Sequence, residues 1–428
     1  MNAKIKAVVG RQIWDSRGRP TVEVDIHLDG GFVGRAAAPA GASRGIYEAI
    51  DLRDGGDRFG GYGVQKALAN VKDIIAPALI GMDAEQSAVD SRLNALDGTE
   101  NFSKLGGNAS VAVSLALTHA CAAAAGVPLW RYLAGGKKVR LPVPEIQIFG
   151  GGAHAGRRTD IQDFMVMVPG AESLAQVFET IGDVYRAAGR LMEEKGRLSG
   201  TADEGGWWPN FSSNEEGLET LVQAIEKAGH RPGQDVFISL DIAASEFYGD
   251  GKYRLALDER AIGTPEMIDL VSGWVARYPI LSVEDPVSQE DTEGMVEFTR
   301  RLGGKIQIIG DDFLVTDASR VRAAQAAGAC NAVLVKVNQA GTVSRAKAAL
   351  DAAKERKWAA IVSARSGETE DVSISHLSVG WDSGHLKVGS FARSERMAKW
   401  NELLRIEEAL GADAVYAGWS ALPEQVMR

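Results

Sequence analysis

Three stretches of alternating apolar and polar residues open the chain. "IKAVVGRQIWDS", "TVEVDIHL" and "FVGRAAA", within residues 4–37, read as the strands of a meander. They are broken at Arg17-Gly18-Arg19-Pro20 and at Asp29-Gly30-Gly31. A glycine-rich loop, "PAGASRGIYEA" (39–49), follows. The apolar period then lengthens to that of a helix over 62–79, 84–96 and 107–124, the last rich in alanine and suited to close helix packing. "GGKKVRLPVP" (135–144) reads as a linker, which predicts an α+β domain over 1–137 and a second domain over 138–428.

Beyond the linker, short apolar strands alternate with helical stretches. The strand ends are "IQDFMVMVPG", "VFISLDIAASEF", "PILSVEDP", "IQIIGDDF", "NAVLVKVNQAGT", "AAIVSARSG" and "HLKVGSFARSER". From Asp241 onward, each apolar run stops at a charged or hydrogen-bonding residue, in the steps 241, 284, 311, 336, 365 and 387. Alternation of this kind predicts a parallel sheet, and its length fits a modified, closed (β/α)8-type barrel whose strand ends share one mouth. A doubly wound open sheet is the other reading. It is disfavoured because strand-end polar groups persist through so many units without a Gly-x-Gly-x-x-Gly turn.

Composition narrows the partners. The 428 residues are 45% hydrophobic and 24% charged, with a net charge of −10, which argues against non-specific binding to nucleic acid or an anionic membrane. An anionic substrate must then be attracted by local metal ions or clustered Arg and Lys. Cys121 and Cys330 form neither a disulfide framework nor a metal-ligand spacing, which fits a reducing cytoplasm. "MNAKIKAVVGRQIWDSRG" lacks a signal-peptide core, and no apolar run is read as long enough to span a bilayer.

The candidate chemistry lies at the strand ends. Asp241, Glu284 and Asp311 each follow an apolar run; three carboxylates on one mouth repel one another unless a cation intervenes, and an all-oxygen set favours Mg²⁺ over zinc. Any one alone could instead merely cap the following helix, a reading that three together in consecutive units disfavour. Lys336, between apolar neighbours and near a second lysine, Lys387, is expected to have its ammonium form disfavoured and so to act as a base towards a carbon acid. A structural lysine paired with one of the carboxylates is the alternative. Glu204 in "TADEGG" is a candidate general acid, although an acidic-Gly loop is more often a solvated turn; His154 in "FGGGAHAG" is an equally weak single signal. In "AAIVSARSGETED", Arg365 and Ser366 suit the fork and hydroxyl that grip an oxyanion.

"DSRGRPTVEV", "GASRGIYEA", "ADEGGWWPN", "LDIAASEF", "SVEDP", "LVKVNQAGT", "RSGETED" and "ARSERMAKWNELLRIEE" together resemble the signature segments of the enolase family, in order and nearly end to end. The resemblance implies an N-terminal α+β cap, a modified barrel, a homodimer, and Mg²⁺-dependent loss of water from 2-phosphoglycerate. It implies Asp241, Glu284 and Asp311 as ligands of a first Mg²⁺, and Ser43 as a ligand of a second that arrives with substrate. Lys336 becomes the base and Glu204 the acid, with Asp163 also catalytic. Lys387 binds the substrate carboxylate, Arg365 and Ser366 hold the phosphate, His154 closes over it, and Gln162 also contacts substrate.

The chain departs from the family pattern in its substrate-covering loops. Ala364 stands where the family has histidine, Asp163 where it has glutamate, Arg44 where it has threonine and Tyr47 where it has histidine; "FGGGAHAG" also differs from Asn-Gly-Gly-Ser-His. A gap at Ala364 and an added cation at Arg44 suit a substrate that is larger and more negative at phosphorus. The expectation is therefore a relative resembling those of phosphonate pathways, converting 2-phosphonoformylglycerate to carboxyphosphonoenolpyruvate. The alternatives are a glycolytic enolase and an inert enolase-like scaffold.

Overall fold

A computed structural model describes residues 3–42 and 45–426. The meander forms as expected: β1 (Ile5–Trp14), β2 (Pro20–Leu28) and β3 (Val33–Ala37) pair antiparallel in chain order. The alanine-rich helix Gly107–Ala125 lies on this sheet. Its small residues allow it to come very close: a Cβ at Gly34 would lie 2.1 Å from the Ala116 carbonyl oxygen and 2.2 Å from the Ala120 nitrogen. This helix corrects the expectation that no apolar run reaches membrane-spanning length, because its 19 residues pass by length and composition. Most of it is buried inside the protein, as a core helix would be.

The second unit is a closed barrel of eight strands arranged in chain order: β4 (Val143–Gly150), β5 (Asp163–Met167), β6 (Phe237–Asp241), β7 (Ile280–Glu284), β8 (Gln307–Gly310), β9 (Ala332–Val335), β10 (Ala359–Ser363) and β11 (Gly384–Ser390). All are buried along their length, as strands sandwiched between a filled interior and a helical shell must be. The sheet is not wholly parallel. β5 runs antiparallel to both β4 and β6, while the remaining pairs are parallel. The cause is local: β4 and β5 are joined by a loop with one short turn at Gly152–Ala155 and no crossover helix. A parallel return needs such a crossover, so the chain folds back as a hairpin.

The barrel interior is polar one level below the mouth. Glu145 accepts from the Ser239 hydroxyl at 2.8 Å and from the Gln307 amide at 3.4 Å; Gln307 also donates to Ser282 at 3.1 Å. His385 Nδ1 lies 3.4 Å from Glu145 Oε1. Burial pushes the Glu145 carboxyl above its ordinary range and the His385 imidazole down to about 4. Burial thus drives both titratable groups of this layer towards their uncharged forms.

Candidate active site

Strand register assembles the mouth. Asp241 is the cross-strand partner of both Glu284 and Asp163, so three carboxylates from β5, β6 and β7 lie side by side. Because β5 is reversed, it is the first residue of that strand, and not its last, that reaches the mouth. Lys387 Nζ lies 2.9 Å from Asp241 Oδ2, 2.9 Å from Glu284 Oε2 and 3.5 Å from Asp163 Oδ2. Burial opposes the Lys387 charge, yet Asp241 and Glu284 hold its pKa well above the ordinary lysine value. Asp311, just after β8, takes Lys336 Nζ at 2.5 Å and the Gln339 amide at 2.9 Å. The turn carrying Asp311 is fixed by Asp285, which accepts the backbone N–H groups of Asp311 and Asp312 at 3.0 and 2.7 Å.

The expected suppression of the Lys336 ammonium is not found. Burial does work against the charge, but the Asp311 carboxylate prevails and raises the pKa. Proximity to Lys387 acts in the expected direction and is too weak to reverse the outcome.

His154 links the acid side of the site. Its Nδ1 donates to Asp163 at 3.0 Å, its Nε2 faces Ser366 Oγ at 3.1 Å, and Glu204 Oε1 lies 3.6 Å away. Burial opposes its charge, but Glu204 and Asp163 carry the imidazole up to about 9, so it is an imidazolium at neutral pH. Burial likewise works against Asp163, yet His154 and Lys387 hold its carboxyl below the usual range. Gln147 donates to Asp163 and accepts from the Gly206 backbone at 2.9 Å. Gln162 donates to Asp241 at 3.1 Å, leaving its buried carbonyl oxygen without a partner among the described residues.

Arg365 is buried and pairs with Glu48 at 2.8 Å. Ser366 Oγ also accepts the Ala42 N–H at 3.2 Å. Ala364 is buried in the wall beside them. Two predicted residues, Ser43 and Arg44, lie outside the described residues. Tyr47 is 51% exposed and lies under the Arg320 guanidinium, 4.3 Å from its ring centre. Sequence reading missed Glu48, Gln147, Asp285 and Gln339. Three of these stand inside motifs already singled out, "GIYEA", "SVEDP" and "KVNQ", next to residues that drew attention first.

Lys336, Glu204, Arg365, Ser366, Lys387, His154 and Asp241 all line one narrow, partly open space. A larger cavity of about 800 Å³ lies alongside, walled by Ile46, Tyr47, Arg320 and Arg345. It touches the site through Gln339 and holds none of the predicted residues, so we place the chemistry in the smaller one.

The residues present fit a hard divalent cation. The donors are carboxylate oxygens, and Glu284 Oε1 is fully buried without a hydrogen-bond partner among the described residues. Burial and the adjacent Asp241 charge push the Glu284 carboxyl well above its ordinary range, which is the repulsion that a cation would relieve.

Cap, barrel and a mouth pairing buried carboxylates with lysines define a capped barrel of the kind that enzymes use, with its polar groups gathered at the strand ends. The family is settled by comparison. Residues 138–425 match the model for "Enolase, C-terminal TIM barrel domain" and residues 5–133 that for "Enolase, N-terminal domain". The chain is 50% identical over 417 residues to "Enolase 1" of Desulfitobacterium hafniense (strain Y51), covering 96% of this chain and 95% of that protein. It belongs to the enolase family, and with it to the carbon–oxygen hydro-lyases that use Mg²⁺.

Proposed function

We propose that this enzyme dehydrates 2-phosphoglycerate to phosphoenolpyruvate. The observation that carries the proposal is the lining of one small space by a candidate base, a candidate acid, an anion grip and a carboxylate-binding lysine. Lys336 Nζ takes the proton from the carbon bearing the phosphoryl ester. Glu204, across the space, protonates the departing hydroxyl, so that one proton and one hydroxide leave as water. Arg365, Ser366 and the His154 imidazolium hold the phosphoryl oxygens. Mg²⁺ held by Asp241, Glu284 and Asp311, with a second ion arriving with substrate beside Ser43, would supply positive charge where the substrate carboxylate becomes a dianion. Asp311 serves two partners: the carboxylate that stabilises the Lys336 ammonium is also in the metal set, so engaging it elsewhere makes Lys336 a better base.

The phosphonoformyl ester was expected to need a gap at Ala364 and a cation at Arg44. Ala364 lines the same space as the candidate base, acid and anion grip, and Arg44 is outside the described residues. With half its positions identical to an enolase along nearly the whole chain, the phosphate substrate is the better-supported reading. The same proposal includes a homodimer and a cytoplasmic setting, the former checked by mass in solution.

Offering both esters to the Mg²⁺-loaded enzyme and following enolpyruvate absorbance tests the substrate. We expect the higher kcat/KM for 2-phosphoglycerate; preference for the phosphonoformyl ester would overturn this and restore the specialised reading.

A further inference from the structure

Behind the anion grip lies a cation that the proposed chemistry does not use. Arg396, near the start of the helix Ser394–Leu410, is fully buried. Its Nη1 donates to the Arg365 and Val388 carbonyl oxygens at 2.7 and 2.8 Å, and its Nη2 to the Ser366 carbonyl at 2.5 Å. Two of these carbonyls belong to the grip, and the third follows Lys387 in the chain. The nearest carboxylate oxygens, Glu395 Oε1 at 3.5 Å and Glu204 Oε1 at 4.0 Å, lie beyond close pairing, and Nε has no hydrogen-bond partner among the described residues. Packing leaves no slack. A Cβ at Gly389 would lie 3.0 Å from the Glu204 carbonyl oxygen and 3.1 Å from Arg396 Cδ, and the Ser390 N–H donates to that same Glu204 carbonyl at 2.9 Å.

We infer that Arg396 is a positioning residue that couples the anion grip to the acid Glu204 and to the Lys387 strand. The argument is electrostatic and geometric. A carbonyl oxygen turned into the pocket would repel the phosphoryl group; Arg396 draws the two grip carbonyls backwards, which leaves the Arg365 side chain and Ser366 hydroxyl facing forward. A planar guanidinium reaches these acceptors from two nitrogens held in one rigid plane, a spacing that a single ammonium nitrogen does not reproduce. Its charge also faces Glu204 across 4.0 Å. Grip, acid and carboxylate-binding lysine are thus tied to one rigid group.

The inference rests on the function proposed above, and the test separates the two. Arg396→Met and Arg396→Lys are compared with the parent enzyme in three measurements: calorimetric affinity for inorganic phosphate with Mg²⁺ present, exchange of the α-proton of 2-phosphoglycerate with D2O, and enolpyruvate release. Arg365→Gln, which should abolish phosphate binding, locates the phosphate. We expect Arg396→Met to weaken phosphate about tenfold to a hundredfold, the range of a charge-assisted contact. Elimination should fall further than exchange, because Glu204 is disturbed more than Lys336, and added guanidinium ion should restore part of the loss. Arg396→Lys keeps the buried charge and is read in its place if the methionine variant does not fold; it should lose phosphate affinity in the same direction. Unchanged phosphate affinity in the folded variant, or equal loss of exchange and elimination without guanidinium rescue, overturns the role of Arg396. A parent enzyme that binds phosphate but does not turn over 2-phosphoglycerate overturns the substrate, and the phosphate comparison still decides Arg396.

Discussion

The floor and the mouth of the barrel are two residues apart on three of its strands: Ser239 below Asp241, Ser282 below Glu284, His385 below Lys387. Both layers are out of water, yet their titratable groups move for different reasons. At the floor burial decides, and Glu145 and His385 are both driven towards their uncharged forms. At the mouth the neighbours decide. His154 and Lys387 stay charged against burial because carboxylates face them, Asp163 stays charged because they face it, and Glu284, already raised by burial, is pushed further up by the Asp241 charge beside it. A layer set by burial ignores an arriving ion, whereas a layer set by neighbours responds to one. That contrast, more than the count of acids, marks the mouth as the reactive layer.

The sharpest break of the contrast is at Glu284. Glu284→Gln should abolish Mg²⁺-dependent turnover while the melting temperature is kept or raised, since a crowded charge is removed; full activity at saturating Mg²⁺ would sink the metal assignment. Next in size is Lys336→Ala, which should slow α-proton exchange by about 10²–10⁴-fold. Glu204→Gln should still exchange while elimination stops, and exchange at the parent rate in the lysine variant would remove Lys336 as the base. A smaller effect tests the floor. His385 titrates at about 4 in the fold and near 6.5 when unfolded. Between these values the unfolded chain holds a proton that the folded chain does not, so stability falls as pH drops from 6.5 towards 4. Urea midpoints of His385→Gln should lack that part of the slope, up to about 1.4 kcal/mol per pH unit; a slope identical to the parent's would show that His385 is not held neutral. The smallest effect belongs to Glu145→Gln, which keeps the shape and the acceptor for Ser239. It should change kcat/KM by no more than about tenfold, because one neutral hydrogen bond is worth roughly 0.5–1.5 kcal/mol, and a larger loss would mean that the Glu145 carboxyl does more than accept from Ser239.

Much of this was legible in the chain because period and punctuation act locally. The meander, the alanine-rich helix and the strand-end steps at 241, 284, 311, 336, 365 and 387 all lie in their own elements or within two residues of a strand's end. What escaped depends on contacts between distant segments. Nothing local to Lys336 says that Asp311, 25 residues away, outweighs burial. Glu48 and Arg365 are 317 residues apart, and their pairing needs both domains in place. The reversal of β5 was written in the absence of a helical stretch between "VPEIQIFG" and "IQDFMVM", a signal overridden by the regularity of the units that follow.

That hairpin has a kinetic consequence. Gln147, His154, Gln162 and Asp163 all arrive on one uninterrupted segment, and the His154–Asp163 contact closes a separation of only nine residues. Loop closure over so short a span is entropically cheap and fast, so this corner of the site is able to form early in folding. The Arg365–Glu48 clasp must wait for nearly the whole polypeptide. A nascent chain released before its last strands are made would then carry a shaped acid corner with no anion grip, and activity regained on refolding should lag behind protection of the β4–β5 amides from hydrogen exchange.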